Sequence, residues 1–233
     1  PCWLFDSDTE LKKHSAYRDA KAGDEQAAIQ LISDLAVKKI VTLRSRFGDD
    51  CIFVAPFARE ASGDNAIPLV LAVFCEVICG GQADRSVVQV TKVYHTGADP
   101  MERLALRPVF EGDVQVGRSY VLVDDVTNLG GTLAELANYI QFMGGAVKDI
   151  LVLVNAGRSK SIHPTRGQLK ILRERYQHDI KDIFGIEVDA LTANEAGYLV
   201  GFRTADEIRN RLAKAKEEIN LRLRSKGIAG IFG

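Results

Sequence analysis

The sequence predicts an α/β protein: a parallel sheet flanked by helices, with helices ahead of it and a helical extension behind it. Three observations lead there. Short continuous apolar runs, at Cys51-Ile52-Phe53-Val54-Ala55, Tyr120-Val121-Leu122-Val123 and Val147 to Asn155, read as strands covered on both faces. Segments of helical period alternate with those runs, the pattern of a parallel sheet with helices on its faces. At 233 residues, 46% apolar and 26% charged, the chain is long enough for one domain with an elaboration.

The first element after an irregular start is a short polar helix, opened by Ser7-Asp8-Thr9-Glu10 as a capping box. Gly23-Asp24 stops it and starts a second helix. Ala27, Ala28, Leu31, Ile32, Leu35, Ile40 and Leu43 give that helix an apolar face running to about Phe47. Residues 1–49 therefore form an N-terminal helical segment and residues 50–155 the α/β core.

Within the core, the strand at Cys51–Ala55 ends at Pro56, and a charged turn through Ala58, Arg59 and Gly63 leads to an apolar helix over 66–78. Pro68 is tolerated in that helix's first turn. Gly80-Gly81 then breaks the chain before Ser86 to Val90, a second strand. From Thr91 to Arg118 the composition is mixed and loop-like, with Lys92, His95, Arg103 and Arg107, and a connection that long is usually functional or disordered. The strand at 120–123 follows. Leu133, Leu136, Ala137 and Ile140 mark the helix behind it, and Gly144-Gly145 leads to the last core strand.

Residues 156–233 are a mostly helical extension. A polar helix covers 164–178, and a short apolar-polar piece follows from Asp179 to Phe184. Thr192-Ala193-Asn194-Glu195 and Thr204-Ala205-Asp206-Glu207 are two further capping boxes. The last helix packs through Ile208, Leu212, Ala215, Ile219 and Leu223. Its basic face is interleaved with acids and carries no aromatic residues, so it reads as solvated rather than as a nucleic-acid contact.

Bulk properties exclude several classes. A net charge of −1 gives no global attraction to nucleic acid or to an anionic membrane, and no apolar stretch approaches a membrane span. Cys2, Cys51, Cys75 and Cys79 show no Cys-x-x-Cys spacing and no nearby histidines, which fits buried free thiols in a reducing cytoplasm. No charged-then-apolar signal segment opens the chain. Pro1 in place of Met is expected of a chain trimmed, or excised from a longer polypeptide.

The chemistry concentrates at Asp124-Asp125-Val126-Thr127-Asn128-Leu129-Gly130-Gly131-Thr132. Two carboxylates at a strand's carboxyl end are followed by a glycine turn and a helix start. Free amides at a helix start favour a phosphate, and glycines let the backbone approach it. The carboxylates suit hydroxyls or a hard cation. A ligand with a phosphate and a polar, metal-bridged part is expected. The bare alternative is a buried strand whose acids only cap a helix.

At these residues the chain resembles the type I phosphoribosyltransferases, whose signature is four apolar residues, two acids, a short turn, then Gly-x-Thr. The resemblance implies that Asp124 and Asp125 face the ribose hydroxyls of phosphoribosyl pyrophosphate (PRPP), directly or through Mg²⁺ and water. It gives the 5′-phosphate to the amides of Thr127, Asn128, Leu129, Gly130, Gly131 and Thr132 and to the Thr132 hydroxyl. It assigns pyrophosphate contacts to the first strand-to-helix loop, at Ala58 and Arg59, and to a mobile flap carrying Lys92, Arg103 and Arg107. An exposed arginine in a turn and solvated flap cations fit the same residues. The N-terminal segment takes the place of a hood over the acceptor, although a plain packing role fits it equally.

The sequence departs from the signature in mid-loop. Leu129 has no hydroxyl for a phosphate, and Asn128 is no general base where purine-specific members often carry Asp. The implied reaction is displacement of pyrophosphate from C1 of PRPP by a small nitrogen-containing acceptor, catalysed by Asp124, Asp125 and Arg59 with Mg²⁺. The alternative is a non-catalytic PRPP- or nucleotide-binding regulatory domain of a larger protein. The combined layout also resembles phosphoribosyltransferase domains in large multidomain proteins of mobile elements, and homodimers are common in the resembling families.

Overall fold

The computed structural model describes residues 1–57, 65–90, 98–225, 227, 229 and 232. In chain order the elements begin with β1 (Cys2–Phe5), α1 (Thr9–Lys13), α2 (Tyr17–Lys21), α3 (Glu25–Leu35), α4 (Val37–Val41), α5 (Arg44–Phe47) and β2 (Ile52–Val54). Next come α6 (Ile67–Cys79), β3 (Gln82–Ala83), β4 (Val88–Gln89), α7 (Pro100–Ala105), β5 (Phe110–Glu111) and β6 (Ser119–Thr127). The chain continues with α8 (Gly131–Phe142), β7 (Ala146–Asn155), α9 (Arg166–Phe184), α10 (Ala193–Val200) and α11 (Ala205–Ser225). These residues pack as two units. The first takes residues 1–57, 65–90, 108–128 and 132–157; the second takes 98–107, 129–131 and the described residues from 158 onward.

The first unit is built on a parallel sheet in the order β1-β7-β6-β2-β3. β6, the strand of the acid pair, lies between β7 and β2, so both its edges are paired. Its continuous apolar run follows from that position. Tyr120, Val121, Leu122 and Val123 are all fully buried, but they alternate between two cores. Val121 and Val123 join Phe53, Leu151 and Leu153 against α3 and α6, through Leu31, Ile32, Leu71 and Cys75. Tyr120 and Leu122 join Ile52, Val54 and Val152 against Leu133, Leu136 and Ile140 of α8. Helices thus cover both faces, as the apolar runs predict.

Four local expectations are corrected. Residues 2–5 are not irregular: β1 pairs in parallel with β7, with Cys2 opposite Leu151 and Phe5 opposite Val154. Four residues are too few to show a period, so only the pairing reveals the strand. The expected helix from Asp24 to Phe47 is three pieces, α3, α4 and α5, although its apolar face is buried at Ala28, Leu31, Ile32, Ile40 and Phe47. The strand expected at Ser86 to Val90 is not in the parallel sheet. Val88 and Gln89 form an antiparallel ribbon with Glu111 and Phe110, and the sheet's edge is β3 instead. At α1, Asp8 rather than Ser7 stands at the cap, with no side-chain capping bond.

The second unit gathers α7, α9, α10 and α11 around Leu104, Leu129, Leu172, Ile180, Leu199, Ile208, Leu212 and Ala215. The stretch expected to be loop therefore contains a helix, α7, capped reciprocally by Asp99 and Glu102. The capping box at Thr192 and Glu195 is present as predicted, and Thr165 with Gln168 makes another at the start of α9. α9 continues through the piece expected to stand apart and ends at Gly185, which is left-handed at φ 70°. Two basic residues of α11 are engaged with α7: Arg211 with Asp99, and Arg222 with Glu102. That face is only partly solvated.

Cys2, Cys51, Cys75 and Cys79 are buried and free. No helix among the described residues is long and apolar enough to cross a membrane.

Gly81 fixes the turn into β3. Its φ is +84°, and a Cβ there would lie 2.2 Å from the Cys51 carbonyl oxygen, a backbone atom in the sheet. Gly81→Ala is expected to cost about 2–4 kcal/mol, from left-handed strain and a clash that no rotamer relieves. Equilibrium urea unfolding measures it, and a loss within ~0.5 kcal/mol of zero would contradict this account.

Candidate functional site

The acid pair is part of its strand. β6 runs on to Thr127, still paired residue for residue with β7 up to Thr127 and Asn155. The Thr127 carbonyl then accepts from Ala156 N–H at 2.8 Å. Asp124 and Asp125 are therefore held by a continuous ladder rather than by a loose loop. The Asp125 N–H donates to Asp124 Oδ1, and the Val126 N–H to Asp125 Oδ1, each at 2.8 Å.

A residue not singled out from the sequence completes the arrangement. Lys21, at the end of α2, places its ammonium 2.6 Å from Asp125 Oδ2, whose side chain is only 4% exposed. Burial works against the charged ammonium, but the Asp125 carboxylate outweighs it and, with smaller contributions from Tyr17 and Asp124, raises the lysine pKa. Asp124 moves strongly. Desolvation first, then the neighbouring Asp125 charge, push it up to about 8, against the opposing pull of Lys21. Desolvation and the Asp125 charge thus favour the protonated form of Asp124, while Lys21 stands beside its neighbour.

The middle of the glycine turn belongs to the second unit, where it is fastened to the start of α10. Thr192 Oγ1 donates to the Leu129 carbonyl at 2.5 Å and accepts from the Glu195 N–H. Leu129 itself is buried among the apolar residues of that unit. Glu195 is fully buried. Its Oε2 accepts from the Thr192 N–H at 2.8 Å and from Arg107 at 2.5 Å, while Oε1 has no hydrogen-bond partner among the described residues. Burial raises the Glu195 pKa, with Arg107 and Thr192 opposing. Oε1 would stand 2.8 Å from a Cβ placed on Gly131, so this position must remain glycine for the carboxylate to lie where it does.

Of the residues expected to act, the ordered structure brings Asp124 and Asp125 together on β6, with Thr127 at its end. Thr132 is the second residue of α8, and Gly130, at φ +85°, makes the turn. Gly131 and Arg107 share one cluster with Glu195. Arg103 instead donates its Nε to the Ala98 carbonyl at 3.1 Å, and desolvation lowers its pKa. Ala58, Arg59 and Lys92 lie outside the described residues, as does His95. Thr192 and Glu195 were legible as a cap but not as the anchor of the glycine turn. Nothing in the sequence marks Lys21, a lysine in a five-residue helix about a hundred positions from its partner.

A hard divalent ion needs several oxygen ligands around it. Both Asp125 oxygens are already engaged, by Val126 and by Lys21, and among the described residues no group of three or more acids, histidines or cysteines stands ready for a metal. As arranged, the pair does not fit a resident Mg²⁺.

No family model matches the sequence. The chain is 36% identical over 214 residues to Protein TraN of Escherichia coli, covering 89% of this chain and 48% of that protein. It is 34% identical over 100 residues to a hypoxanthine/guanine phosphoribosyltransferase of Methanopyrus kandleri, covering 42% of this chain and 46% of the relative. A second protein of that name, from Methanocella arvoryzae, is 30% identical over 139 residues, 60% of this chain and 62% of its own length. The chain thus spans about half the length of the first two of these relatives. Among solved structures, an adenine phosphoribosyltransferase from Thermoanaerobacter pseudethanolicus aligns with a TM-score of 0.38 and 17% identity, over 56% of this chain and 73% of its own. The likeness to phosphoribosyltransferases is carried by the sequence matches.

Two outcomes follow from the site's electrostatics and anchoring. A carboxyl whose folded pKa lies above its unfolded value takes up a proton on folding, so it weakens the fold progressively as pH rises from about 4 to about 8. Asp124→Asn removes that dependence. Its thermal midpoint relative to the parent is expected to climb across this window and level off above it, and a pH-independent difference would contradict the assignment. Thr192→Val leaves the Leu129 carbonyl without its donor and is expected to cost about 1–3 kcal/mol in urea unfolding.

Proposed function

We propose that this chain binds PRPP and transfers its phosphoribosyl group to a small nitrogen-containing acceptor, releasing pyrophosphate. One observation carries the reading: at the end of the central strand the acid pair is followed, within a few residues, by a glycine turn that opens a helix at Gly131. Sequence similarity to proteins named as hypoxanthine/guanine phosphoribosyltransferases supports it.

In this reading the amides from Thr127 to Thr132 and the Thr132 hydroxyl hold the 5′-phosphate, since helix-start amides and glycine-turn backbone favour an anion. Asp124 and Asp125 hydrogen-bond the ribose hydroxyls. Mg²⁺ enters as the counter-ion of the PRPP pyrophosphate. The acceptor nitrogen attacks C1 with inversion as the bond to pyrophosphate breaks. Most of the catalytic effect is then positioning and neutralisation of leaving-group charge, for which Arg59 and the flap cations Lys92, Arg103 and Arg107 are the candidates. The four free thiols suit a reducing compartment such as the cytoplasm.

A second reading is a PRPP- or nucleotide-binding domain without catalysis. It is favoured by the mid-loop, where Leu129 turns into an apolar core and offers no hydroxyl, and Asn128 offers no base.

Calorimetric titration of PRPP with and without Mg²⁺, using ribose 5-phosphate as control, tests the ligand. PRPP is expected to bind more tightly than ribose 5-phosphate, with Mg²⁺ strengthening it. Thr132→Ala is expected to weaken ribose 5-phosphate roughly tenfold or more, the scale of a hydrogen bond to a charged group, and Asp125→Asn to weaken PRPP. Unchanged affinity in both variants would sink the site assignment. Pyrophosphate release over a panel of nucleobases then separates transfer from binding alone.

A further inference from the structure

We propose that Lys21 is the resident cation of the acid pair. It takes the place a divalent ion would have on Asp124 and Asp125, and the ribose end of the ligand is received on the Lys21–Asp125 ion pair.

The ion pair joins a buried carboxylate to a lysine whose side chain is 36% exposed, so the ammonium sits where the acid meets solvent. Asp125 is buried; its Oδ1 accepts from the Val126 N–H, while its Oδ2 makes no hydrogen bond among the described residues and lies 2.6 Å from the Lys21 ammonium as an ion pair. The lysine is held from its backbone. Its neighbour Ala20 is fully buried, and the Ala20 carbonyl accepts from the Ala66 N–H at 3.0 Å, tying α2 to the start of α6. On the other side, the Ala22 N–H donates to the Arg18 and Asp19 carbonyls. Tyr17, one turn before Lys21, packs against the apolar core beneath the sheet.

The lysine therefore reaches Asp125 from a helix end whose backbone is tied to the start of α6. A buried carboxylate with a cation already beside it gains little from a second cation, and a divalent ion would have to displace the ammonium. Three rotatable donors on the ammonium leave it able to hold Asp125 and a ligand hydroxyl or phosphate oxygen together.

The ligand half of this proposal rests on the phosphoribosyl reading; the cation half does not. Mn²⁺ alone, followed by its electron paramagnetic resonance signal in the presence of the full chain, tests the cation half. Lys21→Met is expected to bind Mn²⁺ about tenfold or more tightly than the parent, and that gain should vanish in Lys21→Met with Asp125→Asn. Parent protein that binds Mn²⁺ as tightly as Lys21→Met, and loses it on Asp125→Asn alone, would overturn the proposal. The parent and Asp125→Asn comparison decides even where Lys21→Met does not fold, and Lys21→Gln serves as the second lysine variant.

Ribose 5-phosphate without metal tests the ligand half: Lys21→Met is expected to weaken it about tenfold. Equal binding by parent and variant overturns that half. Absence of ribose 5-phosphate binding in both, with the Mn²⁺ result as expected, rejects the phosphoribosyl reading and leaves the resident cation standing.

Discussion

Two adjacent carboxylates sit on the central strand just past the end of its pairing with β2, and that placement constrains the whole first unit. The ladder from β6 to β7 continues past the acids to Thr127, which fixes their backbone, with Asp125 buried and Asp124 half-buried. A buried carboxylate without a partner is costly. The buried acid, Asp125, meets that cost by pairing with Lys21, while desolvation and the Asp125 charge raise the pKa of the half-buried Asp124. The pairing requires α2 to end where it does. The short N-terminal helices therefore have a task beyond covering apolar surface.

The glycine turn shows a parallel logic in the second unit. A turn that holds an anion by its backbone needs its carbonyls drawn away and its amides left available. Thr192 draws off the Leu129 carbonyl, and the same hydroxyl caps α10. The helical extension, which exceeds what a minimal sheet-and-helix domain needs, thus contributes to the shape of the turn. Gly131 answers to this neighbourhood as well as to any ligand, because the buried Glu195 carboxylate occupies the space of a side chain there.

How much of this was readable from sequence depends on how local each signal is. The apolar runs at 52–54 and 120–123 gave the sheet, because a strand buried on both faces has a composition that no surface element shares. The caps at Thr192 and the apolar stripe of α11 were legible for the same reason: their patterns lie within one turn or one face. β1 was not, since four residues carry no period. The Val88–Gln89 ribbon was misplaced, because a β-favourable run does not state which partner it will choose. Lys21 illustrates the limit. An ion pair between residues 21 and 125 leaves no trace in the neighbourhood of either, and a lysine in a polar helix looks like any other.

The placement of β1 has a consequence for the order of assembly. The sheet's outermost strand on one side is made of residues 2–5, and its partner β7 is made of residues 146–155. During synthesis residues 2–5 must wait for their partner β7 until nearly the whole first unit has been made. Closing so long a loop is entropically late, and contacts of such separation slow folding. Pairing of residues 2–5 with β7 therefore marks completion of the first unit's sheet.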